Sequence, residues 1–168
     1  EFLARNRQHT LSIHCLGDAM VDEYYKVKVN RISPEFPMPI MSSQRATPTT
    51  RPGGAANVAY QFRHFNVNTT LFCFWDCYAS NIYKEHGLNV DSAWGTPCCL
   101  PIKRRFLDGG VQVTRHDIET PFCGYTPQEL ESNAKKLKDA IVSRSKPDVA
   151  ILSDYDKGFF SSEVNFLD

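Results

Sequence analysis

The chain has 168 residues, 42% of them hydrophobic, which suits one globular domain and argues against a disordered segment. Nineteen Lys and Arg balance nineteen Asp and Glu with no run of like charge, so no global field draws the chain onto nucleic acid or an anionic membrane, and any anion must be met locally. No apolar stretch approaches the roughly 18 residues a membrane span needs, and "EFLARNRQHT" lacks the apolar centre of a secretory signal, so a cytoplasmic location is expected.

Residues 11–16, "LSIHCL", are a short apolar run closed by Gly17-Asp18, the pattern of a buried strand that ends in a functional loop. "YYKVKVN" alternates its side chains and "PMPIMSSQR" follows the proline-rich "RISPEFP", so residues 24–46 read as strands exposed on one face. Residues 54–65 space Ala55, Val58, Ala59, Phe62 and Phe65 as one helical stripe. "TTLFCFW" at 69–75 is the next strand and "YASNIYKEHG" a short helix ending at Gly87. "IKRRFLDGGVQVTRHDIE" puts two extended halves around Asp108-Gly109-Gly110, a hairpin signal. "TPQELESNAKKLKDAIVSRSK" opens with Thr126 as a cap and Pro127 in the first turn, then spaces Leu130, Ala134, Leu137 and Ile141 helically. "DVAILSDYDKG" is a buried strand running into a charged loop, and "SSEVNFLD" reads as a helix just starting; with no initial methionine, both ends are expected to be cut.

This order implies an α/β fold with a parallel sheet that carries a β-flap built from the two excursions. Ligands collect at the carboxyl edge of such sheets. There "GDAMVDEYY", "RPGGAANVA" and "SDYDKG" are expected to converge. The six cysteines, Cys98 and Cys99 adjacent, are expected as free thiols. Cys73, Cys77 and the scattered histidines lack zinc-like spacing, so no metal site is expected; Trp75, Trp94 and the phenylalanines read as core.

In the same order, "GDAMVDEYYKVKVNRISPEFPMPI", "RPGGAANVA", "IKRRFL…VTRHDIE" and "LSDYDKG" resemble segments of the ribokinase-like (PfkB) carbohydrate kinases, and within them the heptose 7-phosphate kinase domain of ADP-heptose synthesis. The combination of "NRISPE" with "RPGGAANVA" is the most specific part. The resemblance implies that residues 1–168 are the N-terminal substrate-binding part of a single kinase domain, with a flap of about 24–46 and 101–118 acting as a lid. It implies ATP-dependent phosphorylation of a sugar or sugar phosphate, best D-glycero-D-manno-heptose 7-phosphate at its anomeric hydroxyl. ATP and Mg2+ are expected for the complete enzyme, with their site outside this chain. The flap allows a homodimer, since "YYKVKV" and "PMPIM" leave apolar side chains on a thin sheet. The alternative is a non-catalytic sugar-binding or dimerising scaffold relative.

By match to the family, Asp22 is the carboxylate that anchors sugar hydroxyls, the kind of acceptor that orients a polyol strongly. Gly53 and Gly54 let backbone N–H groups approach the sugar with no Cβ in the way, and Asn57 offers a donor and an acceptor one turn later. Asp18 reads first as a brace of its own loop. Lys103, Arg105 and Arg115 on the hairpin are either a solvated edge or cations that close over a substrate phosphate, Arg105 foremost. Asp154 and Lys157 either close their loop as a salt bridge or touch substrate, and Arg31 serves the flap or a dimer contact.

Two departures stand beside the resemblance. The family's Gly-Ala-Gly-Asp stretch, which holds developing phosphate charge and supplies the catalytic aspartate, is not in the sequence; its one Gly-Asp is Gly17-Asp18, so no catalytic residue is assigned. "FWDCYASNIYKEHGLNVDSAWGTPCC" also lacks the family's glycine-rich turn after this strand.

Overall fold

The apolar run at the start of the chain is strand β1 (Leu11–Gly17), buried from Ile13 onward because it lies inside a parallel sheet with neighbours on both sides. The structure, a computed structural model, describes residues 10–43, 47–91, 99–120 and 126–160, and within these all side chains but that of Leu130. Trp94, Cys98, Cys123 and the run 161–168, on which expectations were placed, lie outside the described residues. Strands β2 (Ala19–Lys26), β3 (Lys28–Ile32), β4 (Pro39–Ser42) and β5 (Thr49–Gly54) lead into helix α1 (Ala55–Phe62). After it come β6 (Val67–Phe72), helix α2 (Cys77–Glu85), β7 (Asn89–Asp91), β8 (Ile102–Asp108), β9 (Val111–Ile118), helix α3 (Pro127–Ser143) and β10 (Val149–Ser153).

The main sheet has the order β10-β1-β6-β7, with every pairing parallel. The fold class expected from the alternating elements is therefore the one observed: an α/β parallel sheet flanked by helices. Strand β7, three residues long at the sheet edge, was not among the expected elements. Each helix begins where the local chemistry allows. Asp76 Oδ1 accepts from the Ala79 backbone N–H at 2.8 Å to start α2, and Thr126 with Glu129 forms a reciprocal capping box at α3. The core joins Cys15, Leu71, Phe72 and Phe74 to Leu137, Phe159 and the small face Ala55-Ala56-Ala59 of α1, which lets that helix sit close on the sheet. Cys15 and Cys73 are buried, while Cys15, Cys77 and Cys99 are unbridged thiols; burial pushes the Cys15 thiol up to about 11.

A second sheet, β5-β2-β8-β9, forms the flap, and β3 pairs with β4 as a separate two-stranded ribbon. This corrects the expected boundaries. The flap strand begins at Ala19 rather than Tyr24, and residues 49–54, for which no strand was expected, form one paired antiparallel from Ala19↔Gly54 to Tyr24↔Thr49. Pro52 sits in the middle of that strand opposite Val21. Proline cannot donate to a ladder, so it is tolerated there because β5 is the edge strand. Gly109 and Gly110, at φ 59° and 90°, make the tight turn between β8 and β9 that non-glycine residues resist.

The ribbon is tied to the flap where Asp108 accepts from Lys28 Nζ and from the Val29 N–H, both at 3.0 Å. Val27, in the "YYKVKV" run, is buried and donates its N–H to Leu107 O. Exposed apolar side chains lie at the ribbon's end, at Ile32, Phe36 and Met38, and on the flap at Val111. Among the described residues no helix is long and apolar enough to cross a membrane.

Candidate functional site

Asp18 fills the role of a brace. It is 4% exposed, and its carboxylate accepts from the backbone N–H groups of Tyr155 (2.9 Å), Lys157 (3.1 Å) and Phe159 (3.0 Å), while its carbonyl accepts from Ala55 N–H at 2.9 Å. One aspartate thus joins the end of β1, the loop after β10 and the start of α1. That is how three stretches remote in sequence reach one edge of the fold.

Strand register then decides which side chains share a face. Arg51, Asp22, Lys103 and Asp117 form one cross-strand row, and Tyr24, Arg105 and Arg115 the next. Cross-strand partners point the same way and side chains two apart return to the same face, so these seven residues line one face of the flap. Arg105 donates to Asp22 Oδ1 at 2.5 Å. Lys103 pairs with Asp117 Oδ2 and Glu119 Oε1, both at 3.2 Å, and Arg115 pairs with Asp117 at 2.8 Å. The Tyr24 ring carries the guanidinium of Arg51 at 5.7 Å and of Arg105 at 5.5 Å from its centroid.

Gly53 lies flush against the Asp22 carboxylate: a Cβ there would stand 3.1 Å from both Asp22 Cγ and Oδ2. Gly54, the residue before α1, has φ 55°, and a Cβ there would meet the Asp18 carbonyl oxygen at 2.2 Å. The pair of glycines therefore serves two purposes. One keeps space open over Asp22, and the other permits the strand-to-helix corner.

The structure brings Asp22, Gly53, Lys103 and Arg105 together, and Lys157 joins them indirectly. Lys157 does not close its loop onto Asp154; its Nζ reaches Glu119 Oε2 at 2.8 Å, the same carboxylate that Lys103 contacts. This bond is the largest of the causes that hold the Glu119 carboxyl below the usual range and the Lys157 amine above its own. Asn57 and Asp154 have local partners: Asn57 Oδ1 accepts from Gln61, and Asp154 Oδ1 accepts from the Asp156 N–H at 2.8 Å, in a turn where Asp156 adopts φ 57°. Tyr24, Asp117 and Glu119 were not singled out from sequence. For Asp117 the signal was present in "IKRRF" against "VTRHDIE", which sets Lys103 opposite Asp117 once the hairpin register is known, although Arg105 then faces Arg115.

On the opposite face of β2 and β8, Glu23 is 3% exposed and accepts from Arg104 Nε (2.7 Å), Tyr78 Oη (2.6 Å) and Tyr25 Oη (3.0 Å). Burial alone raises its pKa, but the bonds from Tyr78, Arg104 and Tyr25 with the Arg104 charge outweigh this and hold the carboxyl below its ordinary value. Tyr78 belongs to α2, so this buried carboxylate fastens the flap to the helical layer.

No protein-family model matches the chain. Individual relatives do. The chain is 31% identical over 168 residues to the bifunctional protein HldE of Magnetococcus marinus, a match covering 94% of this chain and 32% of that protein. It is 34% identical over 164 residues to the HldE of Koribacter versatilis, covering 91% and 31%. It thus spans about a third of the length of these curated relatives. In fold it is similar to a carbohydrate kinase from Agrobacterium tumefaciens (TM-score 0.57, 15% identity, 85% of this chain and 45% of that one). It is also similar to phosphofructokinase-2 from Escherichia coli in complex with fructose-6-phosphate (TM-score 0.58, 13% identity, 86% and 45%). By sequence the chain resembles about a third of these HldE proteins, and its fold is that of the ribokinase-like (PfkB) carbohydrate kinases.

Proposed function

We propose that this chain carries the sugar site of an ATP-dependent sugar or sugar-phosphate kinase, whose best-fitting substrate is D-glycero-D-manno-heptose 7-phosphate, phosphorylated at its anomeric hydroxyl. The observation that carries the reading is the Asp22 carboxylate standing over Gly53, on a face that also presents Lys103 and Arg105. Asp22 accepts from sugar hydroxyls; the Gly53 and Gly54 backbone admits the ring; Asn57 and Asp154 supply further polar contacts from the neighbouring segments. Lys103, Arg105 and Lys157 offset the charge of a substrate phosphate. ATP and Mg2+ act in the complete enzyme. Among these 168 residues none is assigned to hold them, because the sequence has no Gly-Ala-Gly-Asp stretch. The exposed Ile32, Phe36 and Met38 support a homodimer joined through the flap's ribbon.

Calorimetric titration of the complete protein with heptose 7-phosphate tests the reading. Asp22→Ala is expected to weaken binding by about 1.5–3 kcal/mol, the scale of a lost hydrogen bond to a charged group. An unchanged affinity removes Asp22 from the site, and no binding at all removes the sugar reading.

A further inference from the structure

Asp22 already has a partner. Its Oδ1 is engaged by the Arg105 guanidinium, and both side chains are about four-fifths covered, at 17% and 21% exposure. A sugar hydroxyl that donates to this carboxylate must compete with a charge-assisted bond, and a neutral sugar brings nothing that Arg105 prefers to Asp22. A phosphate does, because its oxygens accept bidentately from a guanidinium. The surroundings are arranged to receive one. Arg51 stands directly across the strand from Asp22, its guanidinium resting near the same Tyr24 ring as that of Arg105, and no carboxylate of the described residues pairs with it. With Glu119, which pairs with both Lys103 and Lys157, the face sets the five cations Arg51, Lys103, Arg105, Arg115 and Lys157 against the three carboxylates Asp22, Asp117 and Glu119. That excess of two charges matches a phosphate monoester, which carries about −1.5 to −2 at neutral pH.

We infer that Asp22 and Arg105 form a gate operated by the substrate's own phosphate: the phosphate draws Arg105 toward Arg51 along the Tyr24 ring and so releases the Asp22 carboxylate to the sugar hydroxyls. The inference rests on the sugar-site reading and deepens it. It makes the class of substrate a sugar phosphate and assigns the discrimination against unphosphorylated sugars to one ion pair. Phosphate and hydroxyl binding are then coupled, and the coupling is reciprocal.

The test titrates the complete protein with unphosphorylated D-glycero-D-manno-heptose, with and without saturating inorganic phosphate, and with heptose 7-phosphate. Inorganic phosphate is expected to tighten binding of the unphosphorylated heptose by about tenfold, within the range usual for coupled sites. In Arg105→Gln the coupling disappears, the unphosphorylated heptose binds at least as tightly as it does to the wild type without phosphate, and heptose 7-phosphate binds about tenfold more weakly. Binding of both heptoses to the wild type with no effect of phosphate, or with competition, overturns the gate and leaves the sugar site standing. So does an Arg105→Gln variant that loses the unphosphorylated heptose. Should that variant fail to fold, the wild-type titration alone decides. Failure of the unphosphorylated heptose to bind even with phosphate, while heptose 7-phosphate binds, overturns the gate alone; failure of heptose 7-phosphate to bind the wild type overturns the sugar-site reading and the gate with it.

Discussion

Arg104 Nε donates to Glu23 Oε2 at 2.7 Å across β2 and β8, on the face of the flap sheet that turns away from Asp22 and Arg105. Because side chains alternate along a strand, the adjacent pairs 22–105 and 23–104 point in opposite directions. The first faces the candidate site, and the second is buried against α2 with two tyrosine hydroxyls. Arg104→Ala leaves a buried carboxylate with only phenolic partners. It is expected to lower global stability by about 1–3 kcal/mol, read as a shift in urea midpoint with unchanged slope. A variant as stable as the wild type would show that the pair contributes nothing net.

Below about pH 5, acid should loosen the flap more than the main sheet. Glu23 and Glu119 are both held below the ordinary glutamate pKa in the folded chain, Glu23 by bonds that outweigh its burial and Glu119 chiefly by Lys157. A depressed folded pKa contributes stability that is complete above the unfolded value, about 4.3, and is lost as pH falls through the folded value. The contribution of Glu23 and Glu119 is therefore expected to be level from pH 6 to 5 and to fall below about pH 4.3, whereas His14, whose pKa burial lowers, gives a separate loss that begins as pH falls through about 6.5. Between about pH 5 and pH 3, past the His14 step, hydrogen exchange should speed up more in residues 102–118 than in 11–17. Equal sensitivity of both segments would contradict the assignment.

The two glycines of the edge strand should fail differently. At Gly53 an added Cβ meets the movable Asp22 side chain at 3.1 Å, whereas at Gly54 it meets a backbone carbonyl at 2.2 Å in a left-handed conformation. Gly53→Ala is expected to displace the Asp22 carboxylate and reduce sugar-phosphate affinity while costing under about 1 kcal/mol in stability. Gly54→Ala should cost more than about 1 kcal/mol. Thermal unfolding and calorimetric binding on both variants separate the two, and a reversed order would refute the division of roles.

The 168-residue chain, tested by itself, is expected to transfer no phosphoryl group from ATP to a heptose or hexose phosphate. The aspartate of its single Gly-Asp, Asp18, is buried and committed to three backbone N–H groups, so it has no freedom to act as a base. Turnover above background in a coupled ADP assay with pure protein would disprove this.

Phe36 at 67% and Ile32 at 60% exposure are the side chains that a flap-to-flap contact would cover. If the complete protein is a dimer by light scattering, Phe36→Glu is expected to shift it to monomer, because association would then bury a charge. A monomeric wild type at every concentration removes the contact.

Local pattern was enough to locate most of the architecture. The apolar run at 11–16, the capping residues Thr126 and Glu129, and the Asp-Gly-Gly turn each act over a few residues, and each appears where periodicity and turn chemistry place it. The run expected as a buried strand before "SDYDKG" is a strand, β10, but it lies at the sheet edge with Val149 and Leu152 exposed. The order of the glycine and aspartate motifs likewise carried the resemblance. Pairing across strands was beyond that reach. Asp22 meets Arg105 and Glu23 meets Arg104 across 83 and 81 residues, through a register that only the assembled sheet defines. The same applies to β5, whose Pro-Gly-Gly has the composition of a turn and becomes a strand because it lies at an edge where a missing N–H costs nothing. Which carboxylate is buried, which is offered to a ligand, and which lysine binds which acid are properties of faces brought together at long range. A linear sequence specifies those faces only through the fold.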